Sequence, residues 1–534
     1  TQMTIRSSIK ATLPPYDFDC KTEFEIKTNL PEVPELSNIM ASEMLFAYKI
    51  NQIRIFFSEV LQEKLRIGQP KDLLNRWLFI LVNNNFNFQQ LLDTKDDLDN
   101  NVIGRELILQ KPFRLMYDYS SYDQKKIDST ASQFNYSLRQ FLSEEDQIAK
   151  RYPEFQTPLA EFKKEILKYS PDRVLAQNRA ACLPKQLEAC KKYNMVRFKQ
   201  TIKDILVSLV EKCTQVFKQE LSPTISDSCF QITIKDQKQQ ILADIGQVQL
   251  SPSEFFDFEV SVKRCDQFAQ IYSDFFSKLQ KSDTVFRLNK IHVVKLLQLN
   301  PNLTHLITLQ RRYASFFGNQ LTYTVKQQNE TLYKQNKYEG TSFHAAATER
   351  VFKYLNQHYK TGLECFASPL NCYFKQFCSA FPQIDQLFGS QGSFFTTEFV
   401  SGVFECNPPF TEEIIQGAVE HMFSQLQKAE QHLVFVLLVP DWRVPLAPYH
   451  AKLEADFEGQ KQFVKFFKQL KPNEHFYVSG EQQKTNQRYY QTPHGSCVYV
   501  LGNEKAAQKY GPDVFNIIGN NVFEAMRSPD EIGI

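Results

Sequence analysis

Residues 433–439, Leu-Val-Phe-Val-Leu-Leu-Val, are a continuous apolar run without a charge or a turn residue. A run this short cannot cross a bilayer, which takes about 20 apolar residues, and it lacks the polar alternate positions of a half-exposed strand. The remaining solution is a strand buried on both faces, and such strands belong to sheets covered by helices. The flanks agree: Ile414, Ile415, Ala418, Val419, Met422, Phe423 and Leu426 fall at helical spacing before it, and Leu453, Phe457, Val464, Phe467 and Leu470 do so after it. Leu363 to Phe366, Val403 to Cys406 and Ser496 to Leu501 read as further strands. Strands alternating with helices imply an α/β sheet, in which ligands sit beyond the carboxyl ends of the strands.

The chain has 534 residues, enough for at least two domains. From Glu43 to about Thr322 the apolar residues follow helical spacing, as in Leu73, Leu74, Trp77 and Leu78, or Ile202, Ile205, Leu206, Leu209 and Val210. A break at Asn300-Pro301 separates two helical runs, and weak strand signals occur at Phe230 to Ile234 and Phe256 to Val262. Residues 1–35, with Pro14-Pro15, Pro31 and Pro34, read as an extended arm or linker. The expected organisation is an arm over 1–35, a mostly helical domain over 36–330 and the α/β domain over 331–534.

A formal net charge of +2 is too small to attract a polyanion by itself, so any nucleic-acid site must be a local patch. With no secretory apolar segment at the start and no run long enough to span a membrane, a soluble intracellular protein without a membrane partner is expected. The eleven cysteines include no CxxC pair, so buried free thiols are expected rather than a zinc site.

Chemistry concentrates after the strand Val403 to Cys406, in Asn407-Pro408-Pro409-Phe410, which runs directly into an amphipathic helix. Two prolines fix their own φ and donate no backbone hydrogen bond, so the loop is stiff and its carbonyls can face outward. An Asn side-chain carbonyl and the Pro408 carbonyl make two convergent acceptors, which suit the exocyclic amine of adenine. Phe410 would stack on the purine. Taken alone, the tripeptide would equally serve as a proline turn with Thr411 as helix N-cap.

Asn407 to Phe410 matches the NPPF motif of amino-group N6-adenine methyltransferases. Around it, Glu364-Cys-Phe-Ala-Ser-Pro-Leu-Asn-Cys-Tyr-Phe374, Cys378-Ser-Ala-Phe-Pro382, Phe388-Gly-Ser390 and Pro440-Asp-Trp-Arg443 resemble one family closely. That family is the cap-specific adenosine N6-methyltransferase, also known as the phosphorylated CTD-interacting factor. Tyr169 to Arg179, Arg311-Arg312-Tyr313 and Tyr338 to Thr341 also look like family segments, so the resemblance runs from about Pro158 to Leu501.

The resemblance implies a Rossmann-like S-adenosylmethionine-dependent methyltransferase core preceded by a mostly helical domain that supports substrate and cap binding. It implies a nuclear protein whose substrate is the adenosine beside the 7-methylguanosine cap of an RNA polymerase II transcript. Asn407, Pro408, Pro409 and Phe410 would bind the target adenine. Glu364, Phe366, Ala367, Ser368, Pro369 and Asn371, together with Asn407, would lie by the cofactor, although no GxGxxG occurs there. No metal is required.

Trp442 and Arg443 follow a strand end and offer a stacking face and a guanidinium for RNA, with a structural ion pair as the ordinary alternative. Lys484, Arg488 and His494 sit in a basic-aromatic segment that looks like an RNA-facing loop. Arg173, Arg179, Arg311 and Arg312 would contact phosphate or cap, or else form interdomain salt bridges. Only Trp77 and Trp442 are available as tryptophans, so no WW module is expected in this chain and the implied contact with the phosphorylated polymerase tail lacks its reader. Two other readings stay open: methylation of internal RNA or DNA adenines, and a non-catalytic RNA or transcription scaffold.

Overall fold

The computed structural model describes residues 18–32, 39–68, 73–83, 98, 101–110, 124–169, 179–218, 230–235, 255–262, 285–317, 321–323, 333–335, 345–443, 447–459, 462–480 and 489–528. The chain divides into two compact units: one comprises residues 1–51, 221–441 and 451–534, the other residues 52–220 and 442–450. The division therefore does not follow the break expected near residue 330. The residues between 221 and 330 group with the sheet instead, and the first boundary falls inside α1 (Ile39–Leu65).

The second unit is helical, with α2 (Leu73–Asn83), α3 (Val102–Gln110), α4 (Gln124–Arg151), α5 (Gln156–Lys168) and α6 (Arg179–Lys218). The apolar spacing read in the sequence is the buried stripe: Ile202, Ile205, Leu206, Leu209 and Val210 are buried along α6, as are Leu74, Trp77 and Leu78 on α2. Phe141, Phe162 and Tyr193 join three helices in one cluster. The Tyr193 hydroxyl donates to buried Glu145.

The first unit is built on a sheet whose main path runs β11 (Val464–Leu470), β14 (Ser496–Gly502), β10 (Leu433–Pro440), β9 (Glu398–Cys406), β7 (Leu363–Glu364), β8 (Gln376–Phe377). Strands β8, β7, β9 and β10 are mutually parallel, and β14 runs antiparallel to both β10 and β11. Every residue of β10 is buried, as the unbroken apolar run requires. Its alternate residues Val434, Val436 and Leu438 share a core with Val403, Val498 and Val500, and with Val351, Phe352 and Leu355 of α9 (Glu349–Tyr359). Ile518, Val522 and Met526 of α13 (Val514–Arg527) complete that core. The crossover that a parallel pair needs is α10 (Glu412–Lys428), between β9 and β10.

Two readings from spacing are corrected. Val464, Phe467 and Leu470 lie on a strand, not on a continuation of α11 (Pro448–Glu458). A register shift between Val464 and Phe466 breaks the two-residue alternation, and the three-residue spacing left behind imitates a helix. The strand expected over Leu363 to Phe366 is only two residues long, because Cys365 and Phe366 already leave the sheet.

The weak strand signals are real: β2 (Phe230–Lys235), β3 (Phe255–Val262) and β4 (Val285–Asn289) form an antiparallel sheet. Asn289 then caps α7 (Lys290–Leu299), its side chain accepting from the Ile291 amide at 2.9 Å, and Asn300-Pro301 separates α7 from α8 (Leu303–Phe317). The described part of the N-terminal arm, residues 18–32, is docked on the sheet. Within it β1 (Glu25–Lys27) pairs antiparallel with the start of β9, and Phe24 sits where a side chain at Gly402 would be, 2.8 Å from a Cβ built there. Gly402 also has φ +136°, so both backbone and packing call for glycine. The described cysteines are free and, Cys20 apart, buried.

Candidate active site

Strands β7 and β9 leave the sheet side by side. Glu364 lies in register with Glu405, and the Cys365 amide donates to the Glu405 carbonyl at 3.0 Å. The segments beginning at Phe366 and Asn407 are therefore neighbours at the carboxyl edge, where an α/β sheet holds its ligands.

Asn407 is buried, and its Nδ2 donates to the Ala345 carbonyl at 2.6 Å. That bond leaves Oδ1 as the unengaged acceptor of the amide, and this oxygen is buried without a protein partner among the described residues. Leaving such an oxygen unpaired costs about 1–3 kcal/mol, a cost that a ligand donor would relieve. Ala345 is held in place by its neighbour: the Ala346 and Val478 backbones exchange hydrogen bonds at 3.1 and 2.9 Å.

The Pro409 carbonyl accepts the Thr411 amide at 2.6 Å, and no protein donor reaches the Pro408 carbonyl among the described residues. Thr411 occupies the N-cap position of α10 without making a side-chain cap bond, and its buried hydroxyl has no partner among the described residues. The proline turn thus does not use Thr411 Oγ as an ordinary cap would. Phe410 is half-buried and packs against Tyr477 at 5.5 Å with an interplanar angle of 82°. If Phe410 stacks on an adenine, as the motif resemblance implies, Phe410→Ala is expected to raise the KM for that substrate about 10- to 100-fold, the equivalent of about 1–3 kcal/mol of stacking. Steady-state kinetics against RNA concentration would measure this, with Phe410→Tyr close to wild type.

Tyr477 is itself braced. Its hydroxyl donates to Ser496 Oγ at 3.0 Å, and His475 Nε2 lies 2.8 Å from the same oxygen. Burial pushes the His475 imidazole down from 6.5 to about 4. Above about pH 6.5 the ring is neutral in both folded and unfolded chains. Between that point and about pH 4 only the unfolded chain takes up the proton, so stability falls as pH falls through this window. The loss attributable to His475 is expected to be about 3 kcal/mol. Denaturant unfolding of His475→Gln should therefore show a shallower acid loss than wild type.

The segment following β7 folds on itself. The Ser368 amide and hydroxyl both donate to Asn371 Oδ1, at 2.7 and 2.9 Å, and the Cys372 amide donates to the Ser368 carbonyl at 2.8 Å. Buried Glu364 accepts the Tyr373 and Phe374 amides on Oε1 at 2.7 and 2.8 Å. Burial raises its carboxyl to about 7, against the opposing pull of those amides and of Lys295. Glu364 and Asn371 therefore shape the loop, each with an oxygen engaged inside it. Phe366, Ala367 and Asn371 stay partly exposed, whereas Ser368 and Pro369 are buried. Phe366 packs on Phe394 at 4.5 Å.

The expected RNA contacts fare differently. Arg312 forms a two-bond ion pair with Glu43, Nε lying 2.8 Å from each oxygen, and its guanidinium lies over Phe46 and Phe381 at 4.4 and 5.5 Å. It is an ion-pair arginine within the first unit rather than an open phosphate contact, and neighbouring Arg311 is buried. Trp442 and Arg443 belong to the helical unit, where Trp442 meets Tyr449 at 6.3 Å and its amide faces His450 Nε2 at 3.2 Å. His494 is half-buried just before β14. Arg173, Lys484 and Arg488 lie outside the described residues, as does the side chain of Arg179 at the start of α6.

Residues 290–480 match the family model described as Phosphorylated CTD interacting factor 1 WW domain. This segment is similar to the phosphorylated CTD-interacting factor family. Among curated relatives of the family segment, an mRNA (2'-O-methyladenosine-N(6)-)-methyltransferase of Mus musculus is 38% identical over 177 residues, 33% of this chain and 24% of that protein. The Homo sapiens protein of the same name is 37% identical over an equal span, again 33% of this chain and 24% of that protein. The match thus spans about a quarter of the length of these relatives.

The family's description names a WW domain, which overturns the expectation that no WW module is present. Counting tryptophans could not find it, because the matched segment contains only Trp442.

Sequence reasoning missed Tyr477, His475 and Ala345, which support the NPPF segment from a distant hairpin and a preceding loop. Nothing local marks them.

Proposed function

We propose that this protein transfers a methyl group from S-adenosylmethionine to N6 of the 2'-O-methyladenosine adjacent to the 7-methylguanosine cap of RNA polymerase II transcripts, in the nucleus. One observation carries the reading: a buried Asn407 Oδ1, unpartnered among the described residues, at the carboxyl end of β9, directly followed by the Pro408-Pro409 turn. Two acceptors on a stiff loop fit an amine with two hydrogens. The name of these relatives supports N6 of an mRNA adenosine as the target. The strand order, parallel except at β14 and the added β1, supports a Rossmann-like methyltransferase core.

S-adenosylmethionine, when bound, supplies an electrophilic methyl group on a sulfonium. The segment from Phe366 to Asn371 would hold it, next to Asn407 across the β7–β9 edge. Asn407 Oδ1 and the Pro408 carbonyl would accept hydrogen bonds from the two amine hydrogens, turning the nitrogen lone pair away from the ring and toward the donor; as the N–C bond formed, the C–S bond would break to leave S-adenosylhomocysteine, and one amine proton would pass to water. Phe410 would stack on the base, and the two prolines would keep the acceptors from reorganising as charge shifts. Rate enhancement would then come from positioning and preorganised dipoles. Trp442, Arg443 and His494 are the described candidates for RNA contact, and Arg173, Arg179, Lys484 and Arg488 are assigned there on sequence grounds. Arg312 is set aside.

Labelled methyl transfer to matched short RNAs starting with A or G, capped and uncapped, with and without the cap N7-methyl, tests this. Transfer is expected only to the A-starting, N7-methyl-capped RNA. Equal labelling of uncapped RNA would overturn the cap assignment and favour an enzyme of internal adenines.

A further inference from the structure

Helix α7 is buried on nearly every side, from Ile291 to Leu297, and within that apolar run stands Lys295 with 0% exposure. Packing does not call for an ammonium there; Leu or Met would fill the space without the several kcal/mol that burying a charge costs (an order-of-magnitude figure). Its Nζ donates to the Cys372 carbonyl at 2.7 Å, and the next two backbone groups, the Tyr373 and Phe374 amides, are taken by Glu364. Lys295 also acts electrostatically on Glu364, favouring its ionised form. Three successive backbone groups of one loop are thus gripped by two buried, oppositely charged side chains.

That loop is the one after β7. Where many nucleotide-binding sheets use glycines to bring backbone close to a ligand, no glycine occurs between Gly362 and Gly389 here. Its shape therefore has to be imposed by side chains. We propose that Lys295 is a positioning residue for the methyl donor: with Glu364 it clamps Cys372 to Phe374 and so sets the Phe366 to Asn371 segment in its cofactor-binding form. This rests on the donor site proposed above. It assigns a role to a residue on α7, outside the sheet and far from the NPPF segment in sequence.

Wild-type binding of S-adenosylhomocysteine is measured first by calorimetry; absence of binding would overturn the donor site, and this proposal with it. Given binding, Lys295→Met is expected to weaken S-adenosylhomocysteine about tenfold or more. The KM for S-adenosylmethionine should rise in step while kcat at saturating donor changes little. Lys295→Gln, which keeps a shorter donor, should recover part of the affinity. A folded Lys295→Met with thermal stability, KM and affinity like wild type would overturn the proposal. Hydrogen exchange on the unmodified protein is the second measurement and needs no variant to fold. Amides of residues 365–374 are expected to exchange more slowly once S-adenosylhomocysteine saturates the site, and unchanged exchange at saturation would equally overturn it.

Discussion

Asn407→Ala is expected to lower turnover of methyl transfer by about 100- to 1,000-fold, the range seen when one preorganised polar group is removed from a reacting centre. The side chain has two jobs that the geometry separates. Nδ2 holds the Ala345 carbonyl at 2.6 Å, and Oδ1 remains the buried acceptor. Alanine removes both. Losing the Nδ2 bond costs stability of about 1 kcal/mol, whereas losing the acceptor acts on kcat. Asn407→Asp is the sharper variant: it keeps an oxygen toward the substrate but turns a second one against the Ala345 carbonyl, where two acceptors face each other in a buried place. It should be inactive and less stable than Asn407→Ala. The check is label transfer to capped RNA at saturating donor, with S-adenosylhomocysteine affinity and unfolding measured on the same preparations. Retained turnover in Asn407→Ala would remove the amine-acceptor role.

The second large effect is on stability. Glu43→Ala is expected to destabilise the protein by about 3–5 kcal/mol, because it strands a largely buried guanidinium. Arg312 has 14% of its side chain exposed and Glu43 has 2%, so little water replaces the lost partner. The double variant Glu43→Met, Arg312→Met should recover most of that loss, since two apolar side chains next to Phe46 and Phe381 avoid desolvating any charge. Denaturant unfolding of the two single variants and the double variant closes the cycle. If Arg312 were instead an RNA contact, its loss would appear in RNA binding with stability unchanged.

Much of the sheet was legible because burial on both faces leaves a mark on composition. The run Leu433 to Val439 could be only a central strand, and Ser496 to Leu501 and Val403 to Cys406 followed by the same reasoning. The failure came at Val464 to Leu470, an outer strand with a register shift, where local periodicity no longer reports which residues face the core. For Arg312 the sequence left phosphate contact and salt bridge both open, because an arginine's sequence context does not reveal whether a glutamate 269 residues away will claim it.

The sequence by itself determined a helix-covered sheet and marked the Asn407 to Phe410 turn, because patterns of burial and proline stiffness are properties of neighbouring residues. Only the tertiary structure decided that the Asn407 Oδ1 of that turn is a buried acceptor left unpaired among the described residues. It also decided that Arg312 is paired, and that a lysine from α7 grips the loop after β7. Those outcomes depend on partners brought together across long stretches of chain, and hydrogen bonds and charge pairs exist only once the fold has set their distances.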